Sequence, residues 1–503
     1  MMEMENRNID NAENTAAVNN LENIISPVVE EPIIRPTMIQ NFEILGFGSI
    51  LYGIIYSFCM YKNLYGITST LLVWVTFAYG YFVLNKLNYK FDKKHIVYGV
   101  LGGLLGLNLM WTSDWAILLV DYLAIILVFI SGVFAVVCDN TGWDFGDHVF
   151  ATIKHIFASL VEVFDIFSDW GIYSKKKSGK NSIVKYVILG IAVSIPLLVI
   201  VIALLSGADV VFEQFTSNIF GDFECSTLIG ILVTALGAML GSYAWIVHFL
   251  NKEDYIKHNN KRTAEPAILI TIGIALGLVY VVFCGIQIIY LFAGLGELPA
   301  NYTYAQYARE GFFQLLVVCL LNLVLVLIGV GRFKESTVLK VVLTVITGCT
   351  YIMVASSAYR MYLYVAEYQM SLLRIWVLWT LVWLTFMLTG AVINVYKSDF
   401  SLFRFCMIAT ATLYLVFAFA RPGYLVAKYN LSGRYEKVDA GYIVYDLNED
   451  AANVVYDYYL KADGTEQARF IEYFATHDEV EENKTTVRNF NISRYNYYSI
   501  RIR

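Results

Sequence analysis

The chain is poor in charge and in proline: 16% of its 503 residues are charged and 7 are proline. Average soluble domains carry about a quarter charged residues, so an ordinary soluble enzyme is disfavoured at once. A basic stripe is also missing, the formal charge being -6, and no nucleic-acid partner is expected. The 7 cysteines, at 59, 138, 225, 284, 319, 349 and 406, stand singly, mostly inside apolar runs. With no CxxC and no Cys/His spacing, neither a disulfide framework nor a zinc site is indicated, and buried thiols acting as small hydrophobes are expected. HExxH, GxSxG, GxxxxGK[ST] and GxGxxG are absent, as is a carboxylate pair in the first outer turn, "YKNLYG". No cofactor is expected. These absences count against an enzyme without excluding one.

What is present is apolar and aromatic. Hydrophobic residues make up 58% of the chain, mean hydropathy is +0.58, and there are 37 tyrosines and 32 phenylalanines. A helix crossing hydrocarbon needs about 20 apolar residues, and aromatic rings gather at its water boundary. Eleven segments meet the length: 44–61, 67–84, 96–111, 115–138, 183–206, 227–250, 266–293, 312–330, 338–358, 372–395 and 403–420. The third is short and glycine-rich and reaches the fourth through "TSD", which predicts a tight hairpin. Pro196 is expected to kink the fifth.

Basic residues set the direction. Lys86, Lys90, Lys93 and Lys94 follow the second span; Lys175, Lys176, Lys177 and Lys180 follow the fourth; Lys252, Lys257, Lys261 and Arg262 follow the sixth. Arg332, Lys334 and Lys397 continue the series after the eighth and tenth, whereas 207–226 has acids and no base. The N-terminus is therefore expected in the cytoplasm of a cell with a plasma membrane, and the C-terminus outside it. The expected architecture is an all-α polytopic membrane protein. It comprises a disordered cytoplasmic tail (1–40, without a signal peptide), spans one to four (41–142), an interfacial amphipathic helix with a basic loop (143–182), spans five to eleven (183–420) and a small extracytoplasmic α-rich domain (421–503).

Within 143–170, apolar residues at 149, 153, 156, 160, 163 and 167 keep a helical period while Lys154, Glu162, Asp165 and Asp169 take the other side. Such a segment suits the cytoplasmic interface, and the neighbouring "SKKKSGK" would attract anionic headgroups. The bilayer, anionic headgroups and another membrane or envelope protein are the expected partners. In the tail, "DLNEDAANVVYDYYL" offers Asn448 as a helix cap and "TEQARFIEYFATH" a second short helix; "NFNISRYNYYSIRIR" is ambiguous between strand and helix.

The candidate binding residues are charges and amides near the membrane. In "NYTYAQYAREGFFQLL", Tyr307, Glu310 and Gln314 share a helical stripe, and Arg309 stands beside Glu310. A ligand-gripping polar cluster competes there with an anchored helix start. Asp121 in "WAILLVDYLAII" lies two turns inside the fourth span, either as a proton relay or cation ligand or as an acid hydrogen-bonded to a neighbouring helix. Arg360, Glu367 and Arg374 flank the outer turn between spans nine and ten and could partner Asp121 or Glu310. Asn108, Gln287, Asn322 and Asn394 read as interhelical hydrogen bonds. Asp139, Asp144, Asp147, His148 and His155 cluster after span four; Asp144, Asp147 and His148 have metal-ligand spacing, but acids opening an interfacial helix explain the same letters.

Three motifs together carry a resemblance. Tyr307–Phe312, then Asp439 with Leu447–Ala451, and finally Asn491–Arg494 resemble an uncharacterised bacterial membrane family, the domains of unknown function 4153 and 4173. Asn448 stands where serine is usual, and Ile492 where leucine is. The resemblance is clearest over 180–503 and implies a multi-pass membrane protein with an extracytoplasmic tail; it brings no catalytic residue. A sensory or assembly scaffold and a transporter or channel-like bundle are the leading functions, with an envelope lipid-modifying enzyme behind them.

Overall fold

The computed structural model describes residues 34–138, 143–177, 225–250, 262–289, 312–476 and 487–501, with isolated positions between 194 and 212. The described chain is helical; its one β feature is an isolated bridge joining Ala264 to Phe333. In order come α1 (Ile34–Gln40), α2 (Phe42–Met60), α3 (Ile67–Lys86), α4 (Ile96–Asn108), α5 (Trp115–Val137), α6 (Phe145–Ala158), α7 (Asp165–Lys177), α8 (Cys225–Leu250), α9 (Pro266–Gln287) and α10 (Phe312–Arg332). There follow α11 (Thr337–Tyr368), α12 (Leu372–Tyr396), α13 (Leu402–Phe419), α14 (Pro422–Asn430), α15 (Ala440–Asp446), α16 (Ala452–Tyr459), α17 (Gly464–Thr476) and α18 (Ile492–Arg501).

Among the described residues, 9 helices are long and apolar enough to cross a membrane: α2, α3, most of α8, α5 and α9 to α13. Two of the eleven expected spans are not among them. The segment 183–206, with Pro196, lies outside the described residues apart from isolated positions. The third expected span is α4, which has 13 residues. At about 1.5 Å per residue it covers roughly 20 Å, short of a hydrocarbon core of about 30 Å. Its glycines shape it: an added Cβ at Gly106 would meet the Val73 side chain at 3.0 Å, so α4 lies close against α3.

The helices pack in two groups. The first is α2 with α3 and α8, continued by α3 on α4 and α4 on α5. The second joins α9, α10, α11 and α12. Between them α13 packs on both α12 and α4, with Tyr414, Leu415 and Ala418 buried beside Leu105, Ile117 and Ile125. The Asp114 carboxylate caps α5, accepting from the Ala116 amide at 2.8 Å.

At the opposite end of α5 the chain turns into α6, and here amphipathicity runs inside out. Asp147, His148, Thr152 and His155 are buried against the bundle, while Phe150, Ile153, Phe157, Leu160, Val161 and Phe164 are exposed. The polar side is held by specific contacts: Asp144 and Asp147 form a reciprocal capping box, Arg332 reaches both carboxylates, and the His148 ring stacks on Phe403 at 3.9 Å. These acids and this histidine thus serve a helix start.

The last part of the chain, α14 to α18, forms an apolar cluster of its own around Val426, Ile443, Val455, Phe470, Tyr473 and Tyr497. Met370 of the α11–α12 turn and Leu372 and Ile375 of α12 pack against it, so the tail rests on the bundle. Within the ambiguous closing stretch, Ile492–Arg501 is a helix. Asn448 stands at the N-cap position of a short 3-10 turn, Glu449–Ala451, without a side-chain capping bond.

Candidate functional site

Among the described residues, several polar groups within the bundle bond across helices. Asp121 is fully buried and accepts from Asn108 Nδ2 at 2.7 Å, tying α5 to α4. Tyr414 of α13 lies beside them and donates to the Ile117 carbonyl at 2.9 Å. The second Asp121 oxygen has no hydrogen-bond partner among the described residues. Elsewhere, Gln287 of α9 accepts from Ser356 at 2.7 Å and from Arg360 at 3.1 Å, both on α11. Further along, Tyr280 of α9 donates to Asn322 of α10 at 2.9 Å, and Asn322 to Thr350 of α11 at 3.0 Å. Asn108, Gln287 and Asn322 therefore make interhelical bonds. Asn394 does not: its amide donates to the Phe400 carbonyl at 2.8 Å and closes the α12–α13 turn.

Of the candidate residues Tyr307, Arg309, Glu310, Gln314, Asp121 and Arg360, three are among the described residues, and each has its own setting. Asp121 is bound to α4, Arg360 to α9, and Gln314 is exposed on α10. Tyr307, Arg309 and Glu310 lie outside the described residues.

What the fold does assemble is a joint between the α4–α5 turn and the tail. Thr112 donates to Asp450 at 2.5 Å, Asn491 donates to the Thr112 carbonyl at 2.8 Å, and the Ile492 amide donates to the Met110 carbonyl at 2.8 Å. The Asn491 side-chain oxygen accepts from the amides of Ser493 (3.0 Å) and Arg494 (3.2 Å), capping α18. Arg494 lies 3.5 Å from the Glu449 carboxylate and 4.3 Å over the Tyr65 ring. The α2–α3 turn joins in: Thr68 donates to the Arg488 carbonyl at 2.9 Å, the Arg488 guanidinium donates to the Tyr61 carbonyl, and the Ile67 amide to the Phe490 carbonyl at 3.1 Å. Gly66, at φ 104°, permits that approach; a Cβ there would lie 2.9 Å from the Asn489 carbonyl carbon.

Burial dominates the electrostatics of the joint. It pushes the Asp450 carboxyl up to about 6, a rise that nearby Asp114 reinforces and that hydrogen bonds from Ser493 and Thr112 and the charge of Arg421 oppose. Asp114 is raised as well by burial, against the amides it caps. Arg421, at φ 52°, turns the chain out of α13 and places its guanidinium 5.1 Å over the Trp111 ring. In chemical terms the arrangement is a buried, closed latch. Sequence reasoning left out Thr112, and with it Thr68, Asp114, Arg421 and Arg488; the "TSD" turn was the one trace of Thr112 and Asp114.

A model of the family described as a domain of unknown function (DUF4153) matches residues 99–458, well over half of the chain. The chain belongs to this family. The match takes in Thr112, Asp121, Arg360 and Asp450 and ends before Asn491, so the joint reaches past the matched segment. No curated protein and no solved structure matches.

Proposed function

We propose that this integral membrane protein is a sensory or assembly scaffold of a bacterial cell envelope. Its basic turns face the cytoplasm, its tail is an extracytoplasmic domain, and α6 lies in the inner interface. One observation carries the reading: the segments at 447–451 and 491–494, singled out as motifs, meet on one turn of the bundle through Asp450, Asn491 and Thr112. A latch between tail and membrane helices lets a tail-bound partner act on the bundle. The intramembrane polar groups support it, because Asp121 and Arg360 bind helix neighbours and line neither of two large cavities. The exposed apolar side of α6 gives that helix a reason to lie in lipid.

The experiment is an impermeant thiol reagent applied to intact cells carrying Lys461→Cys, an exposed tail position, followed by identification of proteins that co-purify with wild type and Asn491→Ala. Labelling in intact cells and a partner lost in the variant are expected. Labelling that needs permeabilised cells overturns the orientation, and an unchanged set of partners overturns the latch. A transport reading has one observation of its own, the unpartnered oxygen of Asp121; a proton or cation flux abolished by Asp121→Asn in a well-folded protein would favour it.

A further inference from the structure

At the end of the bundle away from the tail there is a cavity of about 640 Å³. Its wall comes from the turn before α4 (Lys94, His95), the start of α6 (Trp143, Asp144, Phe145, His148), the strand-like approach to α9 (Arg262), the end of α10, and the α12–α13 turn with the first residues of α13 (Ser398 to Arg404). This is a polar chamber in an otherwise apolar protein, placed where helices end.

Its charges are unevenly committed. Asp144 is held by its own capping box and by Arg332, and Arg262 by Glu335 at 2.8 Å. Lys94 lies 3.5 Å from Asp92, with both groups largely exposed, a pairing of little worth. Arg404, exposed at the mouth, has no hydrogen-bond or ion-pair partner among the described residues; burial and the charge of Lys94 weaken the His95 ring's hold on a proton, and the charge of Arg404 adds to them. Beside it α13 begins at Leu402 with Ser401 as its N-cap, and Ser401 makes no capping bond. The amides of Leu402, Phe403 and Arg404 are thus the open positive end of an 18-residue helix, and all three residues line the cavity. Asp399 opposes an anion from the rim, where it is exposed and screened. An unpaired guanidinium, a lysine and an uncapped helix start around one chamber form a recognition set for phosphate. The source of the phosphate follows from the surroundings: Trp143, Phe145, Phe400 and Phe403 share the wall, and the exposed apolar side of α6 begins next to it.

We propose that this cavity binds the phosphate of a membrane-lipid headgroup, with Arg404, Lys94 and the first turn of α13 as its ligands and the acyl chains lying along α6. It is a built pocket, separate from any general attraction of the basic loops for anionic lipid.

The test is thermal unfolding and lipid retention of the full-length protein in detergent, titrated with phosphatidylglycerol, with an uncharged diacylglycerol, and with inorganic phosphate. Phosphatidylglycerol should stabilise the wild type and diacylglycerol should not. Arg404→Gln should bind about tenfold more weakly, as expected for one charge-assisted hydrogen bond. Asp399→Asn should bind more tightly, and Lys397→Gln, a base on the same turn but outside the wall, should match wild type. Competition by millimolar inorganic phosphate supports the phosphate chemistry; stabilisation by inorganic phosphate alone, with no lipid response, overturns the lipid source. Equal responses from Arg404→Gln and Lys397→Gln would show loop charge at work and overturn the site. Correct folding of each variant is checked by its unfolding midpoint without ligand.

Discussion

Replacing Asn491 by alanine isolates the latch. The side chain is 1% exposed and does two things at once. Its amide donates to the Thr112 carbonyl at 2.8 Å, and its oxygen caps α18 through the Ser493 and Arg494 amides. Losing a cap costs about 1 kcal/mol, and leaving a buried carbonyl without its donor costs about 1–3 kcal/mol. Taken together the docked tail should lose roughly 3 kcal/mol, more than a hundredfold in the balance between docked and released states. α18 has 10 residues, too few to hold a helix alone in water, so release should melt it. Hydrogen exchange read by mass spectrometry is the assay. Peptides from 487–501 should lose protection while those from α9 to α12 keep theirs. Asn491→Asp should fall between, since it keeps the cap and loses the donor. If Asn491→Ala leaves 487–501 as protected as in wild type, the latch does not hold the tail and the reasoning fails.

Acidity should move the two ends of the bundle in opposite directions. Burial raises Asp450 to about 6, so the native joint takes up a proton before the released tail does; its stability is greatest below about pH 4 and falls as pH rises through about 6. His148 and His155 are lowered by burial to about 4 and about 3, so the stability of α6 is complete above about 6.5 and falls as pH drops toward 4. Exchange corrected for intrinsic rates, compared at pH 7 and 4.5, should show 487–501 tightening and 145–158 loosening; movement in the same direction would contradict the assignment. Gly66→Ala forces a side chain into φ 104° against the Asn489 backbone, at roughly 1–3 kcal/mol of strain, whereas Gly99→Ala meets open space. Protease sensitivity of the tail should therefore rise in the first variant only. Asp121→Leu strands the Asn108 amide and should lower the unfolding midpoint in detergent by an amount reflecting about 1–3 kcal/mol, while Asp121→Asn keeps a partner and costs less. Equal losses would mean that the pairing contributes nothing.

Individual helices were legible from the sequence wherever one segment decides its own fate. Trp115–Val137 and Pro266–Gln287 announce themselves because an unbroken apolar run makes a helix in lipid the lowest free-energy state, whatever its neighbours are. Length alone misjudged α4, whose neighbours Val73 and Thr70 accept its glycines closely and let a short helix stand. The amides at 108, 287 and 322 were correctly expected to bond between helices, since a buried amide needs a partner, but the identity of the partner was beyond local pattern. Asn394 went to its own turn instead.

Sequence by itself determined the class of this protein, its run of apolar helices, the inside-out face of α6 as a candidate for the interface, and the family it belongs to. Tertiary structure alone decided that Asp121 bonds to α4 and Arg360 to α9, that Thr112 receives Asp450 and Asn491 from more than 330 residues away, and that Arg404 and Lys94 border one chamber. The division has a physical cause. Transfer of a segment into hydrocarbon is a sum over its own side chains, whereas a hydrogen bond or a cavity depends on which faces meet, and that is fixed only when all the helices pack.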